Sequence, residues 1–218
     1  MQTWRVLLGT AGLLLGFQLA AAEAPRLTAY ERSQGWRYLF DGESLSDWRG
    51  YQMSKIPPNW QIVEGALTSG GGPALVSEGE FTDFELVFDW KVSAGGSAEV
   101  YFRVDEDGAA PGESGLVMQL AGSGVKMAGN GGLNEPMRNV ALQPDVWYRG
   151  KIVVFGNHVE YWISGDQLLS YMIDSPDWRT AVAGSGFKDF KEYGLLREGR
   201  IVLAGRSVIF KNIKIKAL

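Results

Sequence analysis

The chain has 218 residues, of which 21% are charged and 45% hydrophobic, and its formal net charge is −4. This is the composition of a globular domain with one sizeable core, and the scattered Lys and Arg residues argue against a nucleic-acid partner. The sequence has no cysteine and a single histidine, which excludes disulfides and argues against a His/Cys metal site, whereas an oxygen-ligand site for Ca²⁺ or Mg²⁺ stays open. The 29 glycines favour an all-β domain with many turns.

Residues 1–22 have the composition of a secretory signal. Arg5 precedes the apolar run Val6–Leu19, and three alanines ending at Ala22 follow, which is the charged, apolar and small-residue order of such signals. The apolar run is short for a membrane span and is interrupted by glycines. We therefore expect cleavage after Ala22 and export to the periplasm or the extracellular space, with no membrane span in the mature protein.

Residues 23–34 are predicted to form a linker or a short helix, because Thr28 and Glu31 have the spacing of a capping box. The remaining residues, 35–218, are predicted to form a single domain. Its first clear element is a tight hairpin around Glu64-Gly65.

The stretch Phe81–Asp105 is predicted to be a β-hairpin whose reversal lies at Ser93–Ser97. Apolar and polar residues alternate on both sides of that turn, as in strands with one buried face. The outward residues of the second arm are Glu99, Tyr101 and Arg103, and the inward residues are Val100, Phe102 and Val104. A carboxylate, an aromatic ring and a guanidinium on one strand face could bind a polyhydroxylated ligand. The alternative is an ordinary solvated sheet face.

The following segment, residues 106–139, is rich in glycine and contains one buried-strand pattern at Leu116–Leu120. Such a segment is a binding or lid loop, or it is disordered. The run Asp105–Gly108 could hold a hard cation, but it lacks the full spacing of a calcium loop, and a solvated loop is the competing interpretation.

The C-terminal half predicts a three-strand meander, two helical inserts and a closing pair of strands joined through residues 204–206. The predicted elements are Trp147–Phe155, His158–Ile163 and Leu168–Met172, helical turns near Ser175 and Phe187, and strands Arg200–Leu203 and Ser207–Ile215. His158 follows a turn on the polar face, so a surface role is expected before a ligand role. Together the patterns predict an all-β jelly-roll sandwich of two antiparallel sheets with short helical inserts.

Several segments, in order along the chain, carry a family resemblance. They are Leu39-Phe40-Asp41-Gly42, Trp60–Leu67, Phe81–Leu86, Tyr101-Phe102-Arg103, Gly156–Trp162, Phe187–Gly194, Gly199–Leu203 and Phe210–Lys216. The sequence resembles the 3-keto-disaccharide hydrolase domain, a bacterial family with a concanavalin A-like lectin/glucanase jelly roll, over nearly the whole mature chain.

The resemblance implies an exported protein with a carbohydrate ligand. Active members of the family cleave glycosides whose C3 hydroxyl has been oxidised to a ketone. That ketone acidifies the C2 proton, so a base can remove it and the C1 oxygen can leave, with an electrophile or a metal stabilising the enolate. The resemblance thus leaves room for a divalent cation such as Ca²⁺ or Mn²⁺, although no metal ligands are identified here.

The predicted substrate-binding residues are Tyr101, Arg103, Gln119 and Arg206, and the candidate catalytic acids are Glu99 and Glu113. We expect Arg103 and Gln119 to face the same hollow.

The sequence departs from the family pattern at the expected catalytic positions. Val117 stands where the family usually has an acidic residue, residues 204–207 replace a Gln-Asp-His-Gly run, and Asn134 replaces a tyrosine. Three hypotheses follow: a glycoside hydrolase or lyase, a non-catalytic carbohydrate-binding domain, and an envelope interaction protein that uses the fold as a scaffold.

Overall fold

The computed structural model describes residues 26–218. These residues form eleven antiparallel strands, two α-helices and a 3₁₀ turn at Pro111–Glu113. The helices are α1 (Ala29–Ser33) and α2 (Pro176–Ala183), and the strands are β1 (Arg37–Phe40), β2 (Trp48–Gly50), β3 (Trp60–Val63), β4 (Ala66–Ser69), β5 (Leu75–Phe81), β6 (Phe84–Val104), β7 (Leu116–Ala121), β8 (Tyr148–Phe155), β9 (His158–Ile163), β10 (Asp166–Met172) and β11 (Gly199–Ala217). No helix among these residues is long and apolar enough to cross a membrane.

The two long strands β6 and β11 pair with each other and run through both layers of a sandwich. The first half of β6 pairs with β8, and the β8–β9–β10 meander extends that side. The second half of β6 pairs with β7, while the first half of β11 pairs with β5 and β5 with β2. We call these two halves the β8 layer and the β7 layer. The predicted all-β sandwich is confirmed.

Two local predictions along these strands are wrong. Residues 84–104 form one strand rather than a hairpin, and residues 199–217 form one strand rather than two. The small residues at 93–97 do not reverse the chain, because β11 continues to pair with β6 on both sides of them. They instead lie where the paired strands pass from one layer to the other, and the register shifts between Arg206 and Val208.

Apolar side chains from both layers form the core between them. Phe84 packs edge-on against Phe102, which does the same with Tyr161 of β9. The Tyr161 hydroxyl donates to the carbonyl oxygen of Val117 in β7 at 3.0 Å, so a hydrogen bond joins the two layers inside the core. The apolar positions of β6 predicted to be buried, Phe84, Leu86, Phe88 and Trp90, are 0% exposed.

The other predicted elements are largely confirmed. Thr28 and Glu31 form the capping box of α1, β3 and β4 form the hairpin around Glu64-Gly65, and Ser175 caps α2. The predicted helical insert near Phe187 is wrong, because residues 187–189 form a turn closed by a hydrogen bond from the Phe190 amide to the Phe187 carbonyl. The predicted signal, residues 1–22, lies outside the described residues.

A bulge near the end of β6 exchanges the faces of two residues. The β6–β11 register shifts between the pairs Val202–Tyr101 and Arg200–Val104, and Arg103 has a φ of 53°. Gly199 makes this possible, because a Cβ at that position would lie 2.6 Å from the Arg103 carbonyl carbon. Val104 consequently packs with Val76 and Val202 on the outer face of the β7 layer, and Arg103 leaves that face.

Candidate functional site

Polar groups from three strands meet on the outer face of the β7 layer. Glu99 of β6 pairs with Gln119 of β7 on one side and with Ala204 of β11 on the other. Tyr101 pairs with Val117 and Val202 in the next row. Directly paired residues project from the same side of an antiparallel sheet. We call this surface the Glu99 face; it comprises Glu99, Tyr101, Val117, Gln119, Val202, Ala204 and Arg206.

Glu99 and Tyr101 are joined by a hydrogen bond along their strand. The Tyr101 hydroxyl donates to Glu99 Oε2 at 2.7 Å. The other carboxylate oxygen, Oε1, accepts no hydrogen bond from the described residues, and Glu99 makes no ion pair with them. Burial, followed by the negative charge of Glu99, raises the pKa of Tyr101, so this phenol stays protonated and remains a donor to the carboxylate.

Gln119 is half-buried and held by the loop that follows β7. The backbone N–H of Gln119 donates to the Gly129 carbonyl at 2.9 Å, and the backbone carbonyl of Gln119 accepts from the Ala128 N–H at 2.7 Å. The loop backbone passes close to the side chain, since a Cβ on Gly129 would lie 3.2 Å from Gln119 Oε1. The neighbouring Asn130 is 0% exposed, and its Oδ1 has no hydrogen-bond partner among the described residues.

Arg206 lies at the end of the Glu99 face where the long strands pass between the layers. It pairs with Ser97, two positions along β6 from Glu99, so the two side chains share a face. The side chain is exposed, and its Nη2 donates to the Gly95 carbonyl at 3.1 Å. No ion pair holds the guanidinium among the described residues, which leaves its other N–H donors available to a ligand beside Glu99.

Arg103 does not belong to the Glu99 face, and the prediction that it shares a hollow with Gln119 is wrong. It is 1% exposed, and its Nη2 donates to the Gly156 carbonyl, in the turn between β8 and β9, at 2.6 Å. Asp83 Oδ1 is 3.8 Å from the same nitrogen. The physical reason is the bulge, which redirects this side chain toward the β8 layer, whereas Gln119 stays on the outer face of the β7 layer.

Glu113, the other candidate acid, lies in the loop that covers one end of the Glu99 face. Its Oε2 accepts the Ala109 amide at 3.0 Å, which is a loop-closing role. The neighbouring residue Gly112 lies over the Tyr101 ring. A Cβ added to Gly112 would lie 3.4 Å from Tyr101 Cε1. The structure thus brings together Glu99, Tyr101, Gln119 and Arg206, places Glu113 at the margin, and separates Arg103.

The acidic side chains of the described residues form no cluster suited to a divalent cation. No group of three or more His, Cys, Asp or Glu residues with metal-binding geometry occurs within residues 26–218. In the run Asp105–Gly108, both carboxylate oxygens of Glu106 accept hydrogen bonds from Arg49, and Asp105 Oδ1 accepts one from the Asp107 backbone N–H at 3.3 Å. These carboxylates are engaged in holding the loop, so we derive no step through a metal.

Tyr193, a site residue that the sequence patterns do not predict, is buried near the Glu99 face. It stacks on Phe187 with ring centroids 4.1 Å apart and on Trp178 at 6.0 Å. Its hydroxyl is buried without a hydrogen-bond partner among the described residues, and it contributes to raising the pKa of Tyr101. The segment Phe187–Gly194, which carried part of the family resemblance, contained the signal for this residue.

A sequence profile of the 3-keto-alpha-glucoside-1,2-lyase-like domain matches residues 35–216. The chain belongs to this family. It is also similar to a protein of Bacteroides thetaiotaomicron named 3-keto-disaccharide hydrolase, with 25% identity over 244 aligned positions that cover 92% of this chain and 84% of that protein.

Two solved structures from Parabacteroides distasonis, both provisionally assigned as glycosyl hydrolases, share the fold of this family member. One has a TM-score of 0.79 and 24% identity, covering 90% of this chain and 100% of that one. The other has a TM-score of 0.64 and 19% identity, covering 84% of this chain and 99% of that one. At these identities the likeness establishes the fold alone.

Proposed function

We propose that the Glu99 face binds glycosides carrying a 3-keto sugar and that Glu99 takes the C2 proton in an elimination that releases the C1 substituent. The observation that supports this most is the shared position of Glu99, Tyr101, Gln119 and Arg206 on one sheet face, with one Glu99 oxygen unengaged by the described residues. The family and the name of the Bacteroides relative support the substrate class.

The proposed reaction balances without a redox partner. The C2–H bond breaks as its proton moves to Glu99 Oε1, and its electron pair forms the C2=C3 bond of an enolate whose negative charge lies on the C3 oxygen. The C3 carbonyl then re-forms, the electron pair shifts to make the C1=C2 double bond as the C1–O bond breaks, and the leaving oxygen takes a proton from Glu99 or from water. Removing a proton next to a ketone is the role of a positioned carboxylate base.

The other residues of the face would bind and orient the sugar. The Tyr101 hydroxyl holds the carboxylate through Oε2, leaving Oε1 for the substrate. The Arg206 guanidinium would donate to the C3 oxygen as negative charge develops there, and the Gln119 amide would bind sugar hydroxyls. The part of the Tyr101 ring that Gly112 leaves uncovered would offer an apolar surface to the sugar C–H groups.

Val117 supports a second candidate function, which is sugar binding without cleavage. This valine pairs with Tyr101 on the Glu99 face and is 5% exposed, where the family resemblance led us to expect an acidic residue. A hydrocarbon side chain can neither accept nor donate a proton. If the missing acid is required, the face retains binding groups and has lost the chemistry.

The test is incubation of the protein with a p-nitrophenyl 3-keto-glucoside, with EDTA or with Mn²⁺ and Ca²⁺, following release of p-nitrophenol. We expect release in all conditions, and a fall of about 100-fold or more in kcat for Glu99→Gln, whereas Glu113→Gln should keep near wild-type kcat. Calorimetry with the same ligand measures binding separately. Binding without p-nitrophenol release would support the second candidate, sugar binding without cleavage. The absence of both binding and release would contradict both candidate functions.

We also propose that the protein is exported, on the basis of the order of charged, apolar and small residues in 1–22. Expression of the full chain in a Gram-negative host, followed by fractionation and N-terminal mass determination, tests this. A mature N-terminus at residue 23 in the periplasm or medium is the expected result, and full-length protein in the cytoplasm would contradict it.

A further inference from the structure

The outer face of the β8 layer carries a pocket far from the chemistry proposed above. Its volume is about 570 Å³, within the size range of small-ligand sites. We call it the Trp147 pocket; it is lined by Asp89, Trp147, Tyr148, Arg149, Ser164, Gly165 and Lys211. The Glu99 face belongs to the other layer, on the opposite side of the core.

Two ammonium groups converge on the indole of this pocket. Lys211 Nζ lies 4.0 Å from the Trp147 ring centroid and Lys91 Nζ lies 5.1 Å from it. Neither lysine has a carboxylate within ion-pair distance among residues 26–218. Trp147 is 38% exposed, and Lys91 and Lys211 are each partly exposed, so a ligand can reach the indole and both cations.

The acidic groups nearby are already engaged. Asp89 is 8% exposed and accepts hydrogen bonds from Arg149 Nε at 2.8 Å and from Asn212 Nδ2 at 2.7 Å. Asp145, two residues before Trp147, accepts the Ser93 hydroxyl at 2.8 Å. Within the pocket and its rim, the three cations of Lys91, Lys211 and Arg149 outnumber the two carboxylates of Asp89 and Asp145, in a chain whose net charge is −4.

A second lysine–tryptophan pair on the same layer differs from the Trp147 pocket in its charge balance. Lys151 Nζ lies 4.1 Å from the Trp162 ring centroid, but it also has Glu85 Oε1 at 3.9 Å. The Trp162 indole N–H donates to Glu160 at 2.8 Å. That pair is neutralised within the fold, whereas the cations at Trp147 retain their charge for an external anion.

We propose that the Trp147 pocket binds a carboxylate-bearing sugar unit, such as a uronic acid residue of a glycan. Lys91 and Lys211 bind the carboxylate, the indole packs on the sugar C–H groups, and the Ser164 hydroxyl and Gly165 backbone lie where ring hydroxyls would be bound. This site is independent of the function proposed for the Glu99 face.

Calorimetry at low ionic strength with a galacturonate trisaccharide tests the proposal, with its methyl ester and inorganic phosphate as comparison ligands. We expect the free acid to bind about tenfold or more tightly than the uncharged methyl ester, and added NaCl to weaken it. Lys91→Gln/Lys211→Gln should raise Kd about tenfold, whereas the matched Lys151→Gln and the opposite-face Glu99→Gln should leave Kd unchanged.

Three results would overturn the proposal. These are no heat with the trisaccharide, equal binding of the acid and its methyl ester, and equal binding by the double variant and the wild-type protein. Phosphate binding as tight as that of the trisaccharide, with no loss for Trp147→Ala, would overturn the sugar assignment and leave a general anion site.

Discussion

Glu99 on the outer face of the β7 layer is held differently from the acids of the β8 layer, and also from Glu78 and Glu80 of its own layer, which pair with Arg49 and Arg200. On the β8 layer the acids are paired with cations: Asp89 with Arg149 at 2.8 Å, Glu85 with Lys216 at 2.9 Å, and Glu31 with Lys214. On the β7 layer, Glu99 receives a hydrogen bond from a neutral phenol and has no cation within ion-pair distance among the described residues. A carboxylate without a permanent counter-ion retains capacity to bind a ligand or a proton, so the comparison favours Glu99 as the reactive acid.

The cations show the complementary difference. Lys91 and Lys211 on the β8 layer form no close ion pair among the described residues, although Lys211 lies opposite Asp89 and helps lower the pKa of that acid. With two lysines so placed, we regard this surface as suited to an anion. The β7 layer has its unpaired acid beside an exposed guanidinium at Arg206 and is suited to a neutral sugar whose charge develops during reaction. The same fold thus presents two chemically distinct surfaces, because one half of β6 and of β11 lies in each layer and alternate residues of each half face outward.

The largest expected effect is a loss of stability when Arg103 is replaced. The bulge directs this side chain away from the Glu99 face. Arg103→Met leaves the Gly156 carbonyl and Asp83 without their buried partner, and we expect a loss of about 3 kcal/mol in the free energy of unfolding. Sugar affinity of the folded protein should be unchanged. Urea denaturation measures the first quantity and calorimetry the second.

Arg206→Met is the matched control for that variant. Because Arg206 is exposed and tethered by one hydrogen bond, its removal should change the unfolding free energy by about 0.5 kcal/mol or less while weakening sugar binding. The reverse pattern, with Arg103→Met weakening binding in a fully stable protein, would return Arg103 to the site and break the comparison of faces.

The sequence predicted more of the fold than of the site. Strict alternation from Phe84 to Trp90 predicted the buried face correctly, and the meander followed from turn residues with positive φ such as Gly156 and Gly165. The same alternation failed at Arg103, because a bulge depends on pairing with Gly199, 96 positions further along the chain, and local periodicity carries no information on such a partner.

The sequence patterns did not predict that β6 is one continuous strand, for a related reason. Ser93–Ser97 has the composition of a reversal, and it passes between layers only because β11 pairs along the whole length of β6. Of the predicted site, Glu99, Tyr101 and Gln119 do come together, since their pairing depends on β7 following β6 as its neighbour in the sheet.

A smaller effect is expected from the hydrogen bond that holds the proposed base. Tyr101→Phe keeps the ring and removes the donor to Glu99 Oε2. A hydrogen bond to a charged group contributes about 1.5–3 kcal/mol, so kcat/KM for the 3-keto-glucoside should fall about tenfold or more. Tyr148→Phe, which loses a hydrogen bond from the Gln143 amide on the other layer, should leave kcat/KM unchanged. Equal effects of the two substitutions would show that Tyr101 acts only through general stability.

The smallest expected effect is the contribution of a paired carboxylate of the β8 layer, Glu31, to stability. It changes only at acidic pH. Hydrogen bonds from Lys214 and from Thr28 lower the pKa of Glu31 to about 2 from its ordinary 4.5. A depressed pKa in the folded state means that the stabilisation is present above pH 4.5 and is lost as the pH falls toward 2. For this partly exposed pair it should amount to about 1 kcal/mol or less. Urea denaturation of wild-type protein and Glu31→Gln should therefore converge over this range, whereas the exposed-acid control Glu43→Gln should track the wild type throughout. A constant difference between wild type and Glu31→Gln from pH 7 to pH 2 would mean that the ion pair does not stabilise the docking of α1 on this layer.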